Sequence, residues 1–173
     1  MAGPLTPEIL IERMGLVPLP VEGGHYRQTW VSAEAVAAAG LPARYGRDKP
    51  LGTAIYYLLT DDPDSFSALH RLPTDEVYHF YLGDPVEMLL LHPGGRGEAI
   101  ALGPDILAGQ RVQLVVPRGV WQGSRLAPGG RFALMGTTMA PGFDPADYEG
   151  GGREGLIRAY PDQAERIRRL TRS

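Results

Sequence analysis

From Thr53 onward the apolar residues recur with a period of two instead of 3.6, and that change of rhythm removes most folds from consideration. Seven runs carry it within about ninety residues: TAIYYLLT, SFSALHRL, EVYHFYLG, VEMLLLHP, AIALG, RVQLVVP and RFALMGTTM. Each is rich in β-branched, aromatic or leucine side chains and is bounded by Gly, Pro or Asp, the pattern of strands that end in tight turns. The 23 glycines and 16 prolines of the chain supply many such turns. Strands spaced roughly 8–12 residues apart, with no helical pattern between them, predict an all-β sandwich or barrel. A chain of 173 residues is expected to form one domain over residues 1–173, around one core.

Short helices are expected only outside this block. Thr6 as N-cap, Pro7 at the first helical position and Gly15 as stop predict a two-turn helix over Pro7–Met14. LVPLPVEGGHYRQTWVS reads as an extended lead-in, and SAEAVAAAG as a short Ala-rich helix capped by Ser32 and ended by Gly40. RIRRLTR, following Asp162 and Glu165, reads as a short solvated C-terminal helix. LHPGGRGEA is a hairpin turn, because a phosphate cradle must run from a strand into a helix and AIALG reads as a strand. TDDPDS lacks the Gly and distal Glu of a calcium loop and reads as a solvated turn.

Charge and composition exclude several functions. The formal net charge is −3 and the sequence shows no local basic patch, so a nucleic-acid partner is not expected. With no cysteine, disulfides, thiolate zinc sites and a catalytic thiol are out of reach. No stretch approaches the roughly 20 apolar residues needed to span a bilayer, and the first residues lack a signal-peptide pattern. A cytoplasmic location without a membrane partner is therefore the expectation.

Chemistry concentrates in ALHRLPTDEVYHFYLGDP. Strand alternation puts Glu76, Tyr78 and Phe80 on one face and Val77, His79 and Tyr81 on the other. The turn RLPTD brings His70, from the preceding run, back toward Glu76, and a carboxylate beside an imidazole stabilises the imidazolium and fixes one tautomer. His79 is expected on an outer sheet or dimer face, His25 and His92 beside turn glycines and exposed. Trp30 reads as a packing residue, and Arg27 as a charge for an anionic substrate or half of an ion pair. Pro141 and Gly142 mark the exit from the last strand, and Phe143 closes one end of the barrel.

The same stretch resembles the first cupin motif, HxHxxxE with a glycine after six residues, with His70, Glu76 and Gly83 in register; PRGVWQ resembles the second, PxGxxH. Leu72 and Gln122 stand where those motifs carry histidines. Six blocks in order, EGGHYRQTW, AIYYLL, HRLPTDEVYHFYLGDP, LGPDI, VQLVVPRGVWQ and TTMAPGFDPADYE, resemble the cupin family catalogued as a domain of unknown function, from about Glu22 to Glu149. The resemblance implies a double-stranded β-helix, a jelly-roll barrel similar to deoxysugar epimerases, and a homodimer. It supplies no reaction.

Three functions follow from these residues. The first is a metal-dependent enzyme with a degenerate site, which would have to hold a divalent ion with His70, Glu76 and Gln122, short of three good ligands. The second is a metal-free isomerase or epimerase using His70, Glu76 and Tyr78 for proton transfer, with no cofactor. The third is a non-catalytic module that binds a small polar, sugar-derived metabolite in a barrel mouth lined by Tyr57, Phe80, Gln113, Trp121 and Gln122. The expected reading is small-metabolite binding in the barrel, with proton transfer at His70 and Glu76 as its specific form.

Overall fold

The structure, a computed structural model, describes residues 4–172. Helix α1, Pro7–Met14, begins and ends where its caps predict: the Thr6 hydroxyl accepts from the Ile9 amide at 3.4 Å, and Gly15 closes it in the left-handed conformation. Thirteen strands follow among the described residues: β1 Val17–Pro18, β2 His25–Val31, β3 Ala35–Val36, β4 Lys49–Pro50, β5 Thr53–Thr60, β6 Ser67–Arg71, β7 Glu76–Gly83, β8 Val86–Leu91, β9 Gly97–Leu102, β10 Gln113–Val116, β11 Trp121–Leu126, β12 Phe132–Met139 and β13 Glu149–Gly150. Helices α2, Arg153–Ala159, and α3, Ala164–Arg169, follow the last strand.

Eleven of the strands form two facing antiparallel sheets, a six-stranded one in the order β1-β2-β5-β12-β7-β10 and a five-stranded one in the order β13-β6-β11-β8-β9, while β3 and β4 pair as a separate ribbon. This is a jelly roll, and its interior follows from alternation. Tyr57 and Leu59 of β5, Tyr78 and Phe80 of β7, and Met88 and Leu90 of β8 pack between the sheets. Their neighbours face outward yet are also covered. Leu58, Phe132 and Leu134 lie under α1, while Leu89 and Leu91 join Leu156, Ile167 and Leu170 of the C-terminal helices. From Met88 to Leu91 strand β8 is buried on both faces, which is why MLLL shows no alternation, and only Glu87 near its start is exposed.

Four expectations need correction. LVPLPVEGGHYRQTWVS does not remain a lead-in, since β2 pairs with β5 along most of its length and extends the large sheet. The Ala-rich stretch is not a helix: Ser32 accepts from the Glu34 amide in a tight turn, Ala35 and Val36 ladder with β4, and only a single 3₁₀ turn forms over Ala38–Gly40. Strand β11 escaped notice because its inward positions carry Gln122 and Ser124 and leave Leu126 as its one aliphatic residue. The C-terminal segment is more than a solvated helix, for Ile167 and Leu170 are buried against the sheet while Arg168 and Arg169 stay exposed beside Glu165.

Single residues also differ from expectation. Trp30 is half exposed on the outer face, and Arg27 caps the end of α1 by donating to the Met14 carbonyl at 2.8 Å. His92 is partly buried and pairs with Glu98 at 2.7 Å, and His25 is partly buried with its Nδ1 lacking a partner. The β8–β9 turn at Gly94–Gly95 is the expected hairpin.

Ile167 is fully buried between α3 and the five-stranded sheet. Ile167→Ala removes most of that contact and should destabilise the protein by about 2–5 kcal/mol. Denaturant unfolding should show the lower midpoint in one transition, and Arg168→Ala should leave it in place.

Candidate functional site

A cavity of about 400 Å³ opens between the two sheets. Its polar end is built from the turn that carries the chain from one sheet to the other. His70 is in β6 of the small sheet, Glu76 begins β7 of the large one, and both point inward. Gln122 lies opposite His70 in β11 and reaches across the barrel to donate from Nε2 to Glu76 Oε2 at 2.8 Å. That bond joins the sheets through the site.

His70 Nδ1 lies 2.8 Å from the Ala68 carbonyl. A carbonyl only accepts, so Nδ1 carries the proton in the neutral ring and Nε2 keeps its lone pair. Nε2 has no hydrogen-bond partner among the described residues, and the ring lines the cavity. Tyr148 stacks against it at 5.0 Å and 21° between ring planes, which fixes its orientation.

Burial raises the Glu76 carboxyl above its ordinary range; His70 and the hydrogen bonds from Thr137 and Gln122 oppose the shift, and Glu22 adds to it. Desolvation also lifts the Tyr78 phenol, with a further push from Glu76, so Tyr78 stays protonated beside the carboxylate. Tyr57 is raised for the same reason and donates to the Gly23 carbonyl at 2.9 Å. The half-buried Tyr148 phenol is pushed up to about 12.

Glu22 is the residue that sequence reasoning missed. It lines the cavity as a second carboxylate, and its Oε1 accepts from Ser67 at 2.9 Å. The backbone around it is specialised. Gly23, at φ 104, passes so close to the Phe66 carbonyl that a Cβ would sit 2.3 Å from it. Val21 holds a positive φ of 68, which a β-branched residue adopts only when its surroundings impose it. The paired glycines after Glu22 were the available signal, since they mark a close backbone approach.

The structure gathers His70, Glu76, Tyr78 and Tyr57 on the cavity wall, with Gln122 directly behind Glu76. Three other candidates lie elsewhere. Phe80 is inward but packs in the core beyond the cavity. Gln113 is exposed on the outer face, where its amide meets His79 Nδ1 at 3.2 Å, because β10 pairs Gln113 with His79 and so gives both the same parity. Trp121 is turned outward by alternation from Gln122, under the Arg71 guanidinium at 4.6 Å and against the helix-covered cluster. Phe143 does line the cavity, held by its amide's bond to Thr53 Oγ1 at 2.9 Å.

A metal does not fit this donor set. His70 Nε2 and Glu76 are two good donors, Leu72 offers none, and Gln122, its nitrogen bonded to Glu76, could add only a weak amide oxygen. Among the described residues no group of three or more His, Asp or Glu could hold an ion. The orphaned Gln122 Oε1 and Ser124 Oγ, both buried in the barrel, are instead suited to hydrogen-bonding groups such as water.

Fold and site together define a jelly-roll protein with a buried imidazole and carboxylate facing one cavity. The match to the family model for the Cupin superfamily (DUF985) runs over residues 8–150, so the chain belongs to that family. Among solved structures it is similar to a hypothetical protein from Leishmania major, 30% identical with a TM-score of 0.85 over 98% of this chain and 100% of that one. A protein from Shewanella oneidensis is 31% identical, also at a TM-score of 0.85, over 98% and 99%. An uncharacterized protein of Saccharomyces cerevisiae is 29% identical over 135 residues, or 73% of this chain. That match spans 66% of the yeast protein, just under two thirds of its length. Among the described residues no helix is long and apolar enough to cross a membrane.

The raised Glu76 carboxyl ties stability to pH. The folded state keeps this proton to higher pH than the unfolded chain does, so the group's contribution is present below the unfolded-chain value and lost as pH rises through the folded one. Glu76→Gln keeps an acceptor for Gln122 but never ionises. Its thermal midpoint should exceed wild type at about pH 8 and match it at about pH 4. Melting curves across that range check this, and a variant destabilised equally at both ends contradicts it.

Proposed function

We propose that the barrel binds a small, uncharged metabolite and moves a proton on it with His70 and Glu76, as a metal-independent isomerase or epimerase would. The observation that carries this reading is the His70 tautomer: an imidazole anchored through Nδ1 presents a basic Nε2 to a cavity whose nearest acid is a carboxyl raised by burial. Imidazole and carboxyl thus face one cavity with a free lone pair on one and a burial-raised proton affinity on the other.

Chemistry of the lining narrows the ligand. The Glu22 carboxylate disfavours an anion, while Tyr26, Tyr57, Tyr78 and Phe143 offer flat apolar surface. A sugar-derived ring, with hydroxyl edges and apolar C–H faces, meets both requirements. In the reaction, His70 Nε2 takes a proton from the carbon beside a carbonyl, and the electron pair moves onto the carbonyl oxygen. Protonated Glu76 donates a hydrogen bond to that oxygen, and Tyr78 holds the carboxyl. Delivery of a proton by the Tyr78 phenol to the opposite face completes epimerisation, with His70 and Tyr78 reset through solvent, and return by His70 to the neighbouring carbon completes isomerisation. A non-catalytic binder is the second reading, favoured by the extent of apolar wall.

Pairing of two copies is part of the proposal. The outer face of the large sheet leaves Trp30, Tyr81 and Val115 about half exposed, which supports a homodimer through that face. Sedimentation at several concentrations tests it.

For the chemistry, a metabolite screen by thermal shift supplies ligands, and each hit is then incubated in deuterated water. The expected result is deuterium incorporation that persists in EDTA and disappears in His70→Ala while the ligand still raises the melting temperature. Stabilisation without exchange in wild type would leave the binding module and remove the isomerase.

A further inference from the structure

A second depression, of about 530 Å³, lies on the far side of Tyr148 from His70. Arg44, Arg47, Arg71 and Arg118 converge on it from three separate segments, against two carboxylates, Asp147 and Glu149. Both carboxylates are already engaged. Asp147 pairs with the fully buried Lys49, and Glu149 takes both hydrogen bonds of Arg71 at 2.7 Å. Three guanidinium groups are left over in a chain whose net charge is −3.

These three are not equivalent. Arg44 is held in place, with Nε donating to the Pro73 carbonyl at 3.0 Å, Nη2 to the Tyr45 hydroxyl at 3.3 Å and its plane 4.7 Å over the Tyr45 ring. Arg47 makes a loose, largely exposed ion pair with Asp144 at 3.6 Å, longer than a hydrogen bond. The Arg118 side chain has no partner among the described residues, although its amide is fixed by Asp75 at 2.8 Å. One preorganised guanidinium, one loosely paired with Asp144 and one without a side-chain partner among the described residues, around a concave floor, match a tetrahedral, doubly charged oxyanion better than a carboxylate, which has two oxygens and one charge.

We infer that the Arg44–Arg47–Arg118 depression binds a phosphoryl group, either free phosphate or the phosphate of a small ester. The concavity and the acidic surroundings favour a small molecule over a polynucleotide, which needs an extended basic track. This site stands apart from the proton chemistry proposed for His70 and Glu76.

Titration calorimetry at constant ionic strength, with inorganic phosphate in one arm and glycerol phosphate in the other, tests the inference on the intact protein. Saturable binding is expected in wild type. It should weaken about tenfold for each guanidinium removed in Arg118→Ala and in Arg47→Ala with Arg118→Ala. Equal affinity in both arms identifies the free oxyanion as the ligand, and tighter binding of the ester identifies a phosphorylated metabolite. Arg168→Ala with Arg169→Ala, on the exposed face of α3, should bind as wild type does. Arg118→Ala breaks no side-chain contact and gives the same readout should the double variant not fold. Absence of saturable binding in wild type, equal binding by Arg118→Ala, or binding only of a single-stranded oligonucleotide overturns the inference.

Discussion

Strand parity is the constraint on which this molecule depends. On β5, β7, β8 and β12 every residue faces either the space between the sheets or a surface covered by a helix or open to solvent, and a slip of one position would exchange the two sets. Apolar side chains on both faces of β8, and an alternating set on β7, make only one register low in energy. The polar lining of the cavity follows that register: Glu76 points inward because Tyr78 and Phe80 do, and His70 because the neighbouring position on β11 carries Gln122.

A carboxylate inside such a barrel costs solvation, and the surroundings only partly return it. Gln122 and Thr137 donate to Glu76 and His70 lies close, yet burial dominates and the carboxyl stays raised. Hydrophobic residues of similar size would pack more stably there. The imidazole is treated differently, with one nitrogen anchored on the backbone and the other left without a protein partner. An imidazole anchored through one nitrogen, a raised carboxyl and a second carboxylate at Glu22 give the cavity a polarity that neither core packing nor sheet pairing requires. The same economy appears on the surface beyond Tyr148, where Asp147 and Glu149 are consumed by neighbours and positive charge remains.

Much of this was legible in the sequence, for reasons that differ by element. Thr6, Pro7 and Gly15 act locally, through capping and φ alone, so α1 could be read to the residue. The β7 faces were legible from Glu76 to Tyr81, where side chains alternate, though a register shift beyond Phe80 sets Leu82 against the cluster under α1; the approach of His70 to Glu76 was legible because a short turn separates them. β11 was not, since a strand whose inward side chains are Gln122 and Ser124 gives no apolar rhythm. The Ala-rich segment misled in the opposite direction, its helical propensity yielding to the ladder of Val36 with Lys49 and to the bond from the Ala38 amide to Asp48. Gln113 and Trp121 were placed in the site by residue type, and their parity decided otherwise.

By itself the sequence determined the period, the turns and the local caps, and through them a two-sheet barrel with an imidazole and a carboxylate on its inner faces; these depend on neighbours a few positions apart. Only the tertiary structure decided which distant residues would meet. Glu22 enters the cavity from 54 positions before Glu76 in the chain, and the four arginines share one depression although they are scattered from Arg44 to Arg118. No local pattern records such meetings, because the free energy that brings those residues together belongs to the packing of the sheets and not to the residues themselves.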